Sequence, residues 1–250
     1  MAQNNPADLE YGSRAVAFDT THWSVVLKAG GETSTEAQAA LEHLCRTYWY
    51  PLYAYVRRQG HNIEDAQDLT QQFFARLLEH KYLKLADRDR GRFRTFLLTS
   101  LKYFLINEWK QANRQKRGGG CQFISRDGSE METRFMAEPS NGRSPDKAFE
   151  RQWALVLLGR VLDQLQAEFA SAGRGQVFEE LKPYLTGEDI EGSYAEVGRR
   201  LGMTEGNIKV TVHRLRQRYR ELLKKEILRT VDDLAIVDEE IRHLIAALSD

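Results

Sequence analysis

Residues 193–218, SYAEVGRRLGMTEGNIKVTVHRLRQR, decide how the fold of this chain is read. Ser193 is a favourable N-cap, and Glu196 is placed to close a capping box with it. The helix that follows turns Tyr194, Val197 and Leu201 inward. Gly202 supplies the permissive backbone that a sharp helix end requires, and Thr204 can cap a second helix. On that second helix Ile208, Val212, Leu215 and Tyr219 fall at i, i+4, i+7 and i+11 and make one apolar stripe. Val210, His213 and Gln217 point away from the stripe. Lys209, Arg216 and Arg220 lie on one flank, and Thr211, Arg214 and Arg218 on the other. The pattern predicts a helix-turn-helix whose uncharged crest can meet base edges while its flanks meet phosphates. A solvated basic helix on a bundle is the plainer alternative. The stop at Gly202 and the paired flanks weigh against it.

Working outward, the whole chain has 250 residues and a formal net charge of zero, so its total charge points to no partner. The distribution of charge does. Residues 88–117 hold nine Lys/Arg against two acids, and residues 194–225 hold nine against three. Residues 226–250 reverse the balance, with seven acids against two bases. Two basic segments and an acidic tail predict two nucleic-acid contacts and one other surface. The two cysteines, Cys45 and Cys121, form no CxxC pair, which argues against a disulfide framework or a structural zinc site. Without a signal peptide or a long apolar run, a soluble, cytoplasmic protein is expected. Leu, Ala, Glu, Arg and Gln recur at helical spacing and alternating runs are rare, so the fold class expected is all-α.

The helical patterns divide the chain into two domains joined by a flexible linker. Residues 1–35 read as an arm ending in a short helix around Trp23, Val26 and Leu27, stopped at Gly30-Gly31. Residues 36–117 read as a helical domain. A long helix runs to Arg58 with Leu41, Leu44 and Tyr48 as its stripe and a kink expected at Pro51. Further helices are expected over 63–80 and 93–115. Residues 118–146, with five glycines, Pro139 and scattered polar residues, read as a linker. Ser144-Pro145 starts the next helix and opens the second domain, 147–228, with Phe149, Trp153, Val156 and Leu157 inward. The tail, 229–250, carries an amphipathic pattern at Val237, Ile241, Leu244, Ile245 and Leu248.

The first domain carries its own nucleic-acid signature. In FRTFLLTSLKYFLINEWKQANRQKR (93–117) the core stripe is Phe93, Leu97, Leu101, Phe104 and Leu105. Phe96, Ser100, Tyr103, Asn107 and Lys110 share another face, a platform on which unpaired bases can stack. Lys110, Arg114, Lys116 and Arg117 follow as phosphate ligands. Aromatic residues at helical spacing are more often core, so this face alone leaves both readings open. In helix 63–80, Asp65, Asp68, Gln72 and Glu79 share an acidic, amide-bearing side opposite Leu69, Phe73 and Leu77. Such a ridge repels DNA; it is either a solvated face or a dock for a basic protein surface.

These segments resemble a known family. DAQDLTQQFFARLLE (65–79) resembles the core-binding segment of bacterial sigma factors of the sigma-70 class, in the extracytoplasmic-function (ECF) group. The pattern stands here as Asp65, Ala66, Asp68, Leu69, Gln71 and, one position short of the usual spacing, Phe73. YWYPLYAYVRR (48–58) resembles the segment before it, and FRTFLLTSLKYFLINEWKQANRQKRGGG the promoter-melting and −10-reading segment. GRRLGMTEGNIKVTVHRLRQRYREL resembles the −35-reading domain, with Gly202, Gly206, Ile208 and Lys209 opening the recognition helix. Phe96 stands where tryptophan is usual, and Tyr103 where a small polar residue is often found. The FxTTHWSVV start and the acidic tail resemble a subgroup with a C-terminal extension.

The resemblance implies a sigma factor that binds core RNA polymerase and directs promoter recognition, with no enzymatic activity, no cofactor and no metal. It makes the two domains region-2-like and region-4-like. Asp65, Asp68, Gln71, Gln72 and Phe73 are then expected on the polymerase. Arg94, Phe96, Lys102, Tyr103, Asn107, Lys110 and Arg114 are expected on the −10 strand. Thr204, Asn207, Lys209, Val210, His213, Arg214 and Arg216 are expected on −35 duplex. An anti-sigma factor is a further candidate partner.

Two other functions are weighed. A helix-turn-helix regulator acting without polymerase would need a ligand pocket and a dimer, and only the tail offers a dimer stripe. A nucleic-acid-processing enzyme would need clustered metal-binding carboxylates or a nucleophile beside a base, and the six histidines are scattered. For the tail three roles are open: packing on the DNA-reading domain, binding another protein, or blocking the basic face.

Overall fold

The computed structural model describes residues 35–78, 93–114, 128–138, 142–187, 192–229, 231 and 234–249. The short helix expected around Trp23, and the side chains of Leu41, Glu79, Arg114, Lys116 and Arg117, lie outside the described residues. Within them the chain is all-α: α1 (Thr35–Arg58), α2 (Ile63–Leu78), α3 (Phe93–Arg114), α4 (Gly128–Met136), α5 (Pro145–Ser171), α6 (Gly175–Leu181), α7 (Pro183–Thr186), α8 (Tyr194–Leu201), α9 (Glu205–Leu228) and α10 (Leu234–Ser249). Helix α1 continues through Pro51.

Helix α5 begins where Ser144 and Pro145 require, with the Ser144 hydroxyl accepting from the Lys147 amide. It buries Ala148, Phe149, Trp153, Ala154, Leu157, Val161 and Leu165, with Val156, Leu158 and Leu162 packed beside them. A helix apolar on this much of its circumference needs cover from several sides, and α1, α9 and α10 all pack on it. Helices α2 and α3 complete the N-terminal bundle around Phe73, Leu77, Phe93, Leu97, Leu101 and Phe104.

The stretch expected to be a linker holds a helix. Over Gly128–Met136, α4 packs on α2 and is fastened to α1 by charge. Glu132 accepts from Tyr53 Oη at 2.7 Å and from Arg57 at 2.7 and 3.0 Å. Glu138 accepts from Tyr50 and Arg58. The Arg134 guanidinium lies 3.8 Å from the centre of the Tyr50 ring. A nine-residue helix beginning at glycine has little stability of its own; partners distant in sequence hold it, which is why periodicity does not reveal it.

A buried polar group spans α1, α5 and α9. His43 Nε2 lies 3.0 Å from Glu226 Oε1, and Arg160 Nη2 lies 2.7 Å from His43 Nδ1. An arginine can only donate, so Nδ1 accepts and the Nε2 proton serves Glu226. Arg229 reaches the other Glu226 oxygen at 2.9 Å. Burial opposes ionisation of Glu226, but the His43 hydrogen bond and the Arg229 and Arg160 charges outweigh it and hold the carboxyl down at about 2. A carboxyl depressed on folding stabilises the folded state above its unfolded value and loses that contribution as it is protonated. Stability carried by Glu226 is therefore expected to fall between pH 4.5 and about 2. Glu226→Gln should flatten that part of the profile in chemical denaturation run as a pH series.

In the helix-turn-helix, Gly198 meets Met203. A Cβ built at Gly198 would stand 2.6 Å from the Met203 carbonyl oxygen and 3.5 Å from Ile208 Cγ1. Gly198→Ala is expected to cost about 1–3 kcal/mol, the range for overpacking a filled site, read as a lower urea midpoint at unchanged slope.

Candidate nucleic-acid interface

Helix α8 opens with the expected capping box: Ser193 accepts from the Glu196 amide, and the Glu196 carboxylate accepts from the Ser193 amide. Gly202 ends it in the left-handed region at φ 65°. Thr204 then caps α9 by accepting from the Asn207 amide at 3.2 Å. The expected stripe is buried at Ile208, Val212 and Leu215. Tyr219 is half-buried and donates to the Leu158 carbonyl at 3.2 Å.

The opposite face is open. Val210 is 50% exposed, and Asn207, Lys209, His213, Arg214 and Gln217 are exposed around it. Lys209 pairs with Glu205 one turn earlier at 2.6 Å, which raises the lysine above its ordinary range. Both partners are solvated, and such pairs are weak and exchangeable. Two flank residues differ from expectation. Thr211 is buried, its hydroxyl donating to the Asn207 carbonyl. Arg216 is solvent-exposed but donates to the Tyr184 carbonyl of α7 at 3.0 and 3.2 Å, so it braces α9 on its neighbour.

On α3 the core stripe is buried at Phe93, Leu97, Leu101 and Phe104, with Leu105 half-buried. The proposed platform is divided. Tyr103 stands 63% exposed, with Asn107 and Lys110 also in solvent. Phe96 is half-buried and stacked on Phe93 at 6.2 Å, and Ser100 is buried. Trp109, 68% exposed, and Ile106 extend the open face and escaped the sequence reading. At 100° per residue, Tyr103, Lys110, Ile106, Lys102 and Trp109 occupy one continuous arc; the signal was present but lay outside the period chosen.

One candidate residue is interior, and a second is paired at the surface. Arg94 is 4% exposed, held between Glu150 at 2.7 Å and Glu240, with Trp153 beneath its guanidinium at 4.3 Å. Its expected place on the −10 strand is corrected to the interior. The acids that enclose it come from α5 and α10, distant in sequence. Lys102 is half-buried against Asp146 at 2.6 Å, and that bond raises its pKa.

Phe73, expected on the polymerase, is fully buried and packs on Phe104 at 5.8 Å. An aromatic ring opposite the acidic ridge necessarily faces the bundle. The other residues of that set lie at the surface: Asp65, Gln71 and Gln72 exposed, Asp68 half-exposed. Among the described residues no group of three or more His, Cys, Asp or Glu could hold a metal ion, and no helix is long and apolar enough to cross a membrane.

Residues 44–115 match the family model for sigma-70 region 2. The match spans α1 from Leu44 through α3, so this stretch is similar to the region through which sigma-70 factors bind RNA polymerase and melt promoters. Sigma factors of this family are non-enzymatic. No curated protein and no solved structure matches the chain.

The open face of α9 makes little contribution to packing. Val210→Ser and His213→Ala are therefore expected to change stability by no more than about 0.5 kcal/mol, whereas Ile208→Ala should cost about 2–5 kcal/mol. Thermal and urea unfolding of the three variants checks the contrast.

Proposed function

We propose that this chain, a sigma-70 family factor by its region 2, is an ECF-type sigma factor with a C-terminal extension, acting in the cytoplasm without catalysis of its own. The exposed acids and amides of α2, Asp65, Asp68, Gln71 and Gln72, hold core polymerase. Tyr103 and Trp109 on α3, with Phe96, Asn107 and Lys110, capture the unpaired −10 strand. Lys209, Val210 and His213 on α9 read −35 duplex, with Asn207, Arg214 and the capping Thr204 against phosphates. The two domains, 36–117 and 147–228, divide these tasks between opened and closed DNA.

One observation carries the reading: two large aromatic rings stand in solvent on a lysine-bearing helix inside the region 2 stretch. Exposed rings of that size suit unstacked bases, and each stacked base contributes about 1–3 kcal/mol. Extruding a base costs a few kcal/mol, so one or two such contacts roughly offset it. Each reader alone makes few contacts. Mounting both on polymerase raises their effective concentration without new ones. Val210 offers a methyl surface to thymine in the major groove, and Lys209 a donor to guanine.

Run-off transcription with core polymerase and genomic fragments tests this directly; initiation at discrete mapped sites is expected. Lys209→Ala should weaken −35-dependent initiation by about 1–3 kcal/mol. Asp68→Ala should weaken polymerase capture at every promoter alike. Equal, promoter-selective defects in both variants would reverse the roles. Nanomolar binding of promoter duplex by the chain alone would favour a polymerase-independent helix-turn-helix regulator.

A further inference from the structure

The arginines on the two flanks of α9 are already committed within the molecule. Arg216 donates twice to the Tyr184 carbonyl of α7, at 3.0 and 3.2 Å. Arg218 makes a forked contact with Glu168 of α5, 2.8 Å from each carboxylate oxygen, and reaches Glu221 at 3.0 Å. A forked arginine–carboxylate pair is the kind of exposed pairing whose geometry is good enough to persist. Arg216 and Arg218, which the sequence pattern puts on phosphates, therefore brace the helix on its neighbours. Further along, Lys224 meets Asp238 of α10 at 3.1 Å.

A middle line of α9 is left uncommitted. Arg214, Gln217 and Arg220 are exposed, and their side chains have no hydrogen-bonding or ionic partner among the described residues. Glu221, the acid one turn beyond Gln217, is engaged by Arg218. At 100° per residue, Arg214 and Arg220 stand about 60° to either side of Gln217, about 4.5 Å before and after it along the axis. Val210 lies within about 20° of Gln217 and about 10.5 Å nearer the start of the helix.

We propose that Gln217 is a base-reading residue specific for adenine, held at the floor of the major groove by Arg214 and Arg220 on its two phosphate walls. The inference rests on the reading of α9 as the −35 helix and lengthens the element that this helix reads. The major groove, about 12 Å wide, admits one helix. Its crest then meets base edges while the groups to either side meet the backbones. An amide matches adenine: its oxygen accepts from N6 and its NH2 group donates to N7. The distance from Val210 fixes the register. Base pairs rise about 3.4 Å, so the separation corresponds to about three pairs. The element should carry an A·T pair about three pairs from the one whose thymine methyl Val210 touches.

The test uses the full chain with core polymerase on a promoter library randomised across the −35 element, with base preference at each position counted from the transcripts. The unmodified chain should favour adenine by about tenfold at one position, the scale of a single bidentate contact. Val210→Ser should relax a position about three pairs away. Gln217→Ala should abolish the adenine preference and leave the others in place. Gln217→Glu keeps the shape of the side chain but only accepts, so the preference at that position should move to cytosine, whose N4 donates. A change in folding or in general affinity does not exchange one base for another. Arg214→Ala and Arg220→Ala should weaken initiation on every sequence alike. Base preferences unchanged in both Gln217 variants would overturn the proposal. Should the unmodified chain fail to initiate on any sequence, the sigma reading falls. The same library, selected as free duplex by binding to the chain, then supplies the readout, and the same two outcomes decide on Gln217.

Discussion

The burial of α5 on three sides is the constraint from which the rest of the structure follows. Phe149, Trp153, Leu157, Val161 and Leu165 run the length of the helix and are all but fully buried. At about 1.5–3 kcal/mol for each large apolar side chain taken out of water, this is a substantial part of the stabilising free energy. No single neighbour can cover such a helix. Helix α1 comes from the N-terminal bundle, α9 is the recognition helix, and α10 is the tail. The two halves of the chain therefore share one core in this state.

Charge decides how those neighbours are set on α5. Arg94 with Glu150 and Glu240, and His43 with Glu226, Arg160 and Arg229, are buried groups at the seams between elements distant in sequence. Desolvation makes such groups modest contributors to stability, but leaving one unmatched is costly. Apolar packing alone would permit α10 to slide along α5; a buried carboxylate that must find one guanidinium does not. The same argument applies to α4, which Glu132 within it and Glu138 just beyond its end fix over the arginines and tyrosines of α1.

With the cores filled, the functional faces are those that packing left over. Val210 and His213 on α9, Tyr103 and Trp109 on α3, and Asp65 and Gln72 on α2 lie on sides of their helices away from the buried stripe. Large or charged groups held in water by rigid helices lose little on meeting a partner, since their backbone is already ordered.

The local order of this chain was legible in its sequence. The Ser193–Glu196 box, the turn at Gly202, the Thr204 cap and the Ser144-Pro145 start are interactions between near neighbours, so spacing alone determined them. The stripes of α3 and α9 follow from a period of 3.6 residues, and so did the burial of their apolar sides. Tertiary structure alone decided which polar groups were left for a partner. Arg94 looks like a free cation in a basic run until Glu240, 146 residues away, arrives beside it. Trp109 looks like core until no neighbour covers it, and residues 128–138 look like linker until Arg57 and Arg58 supply Glu132 and Glu138 with partners. Helical periodicity reports which way a side chain points, but the energy of a buried charge depends on what the folded chain brings to meet it.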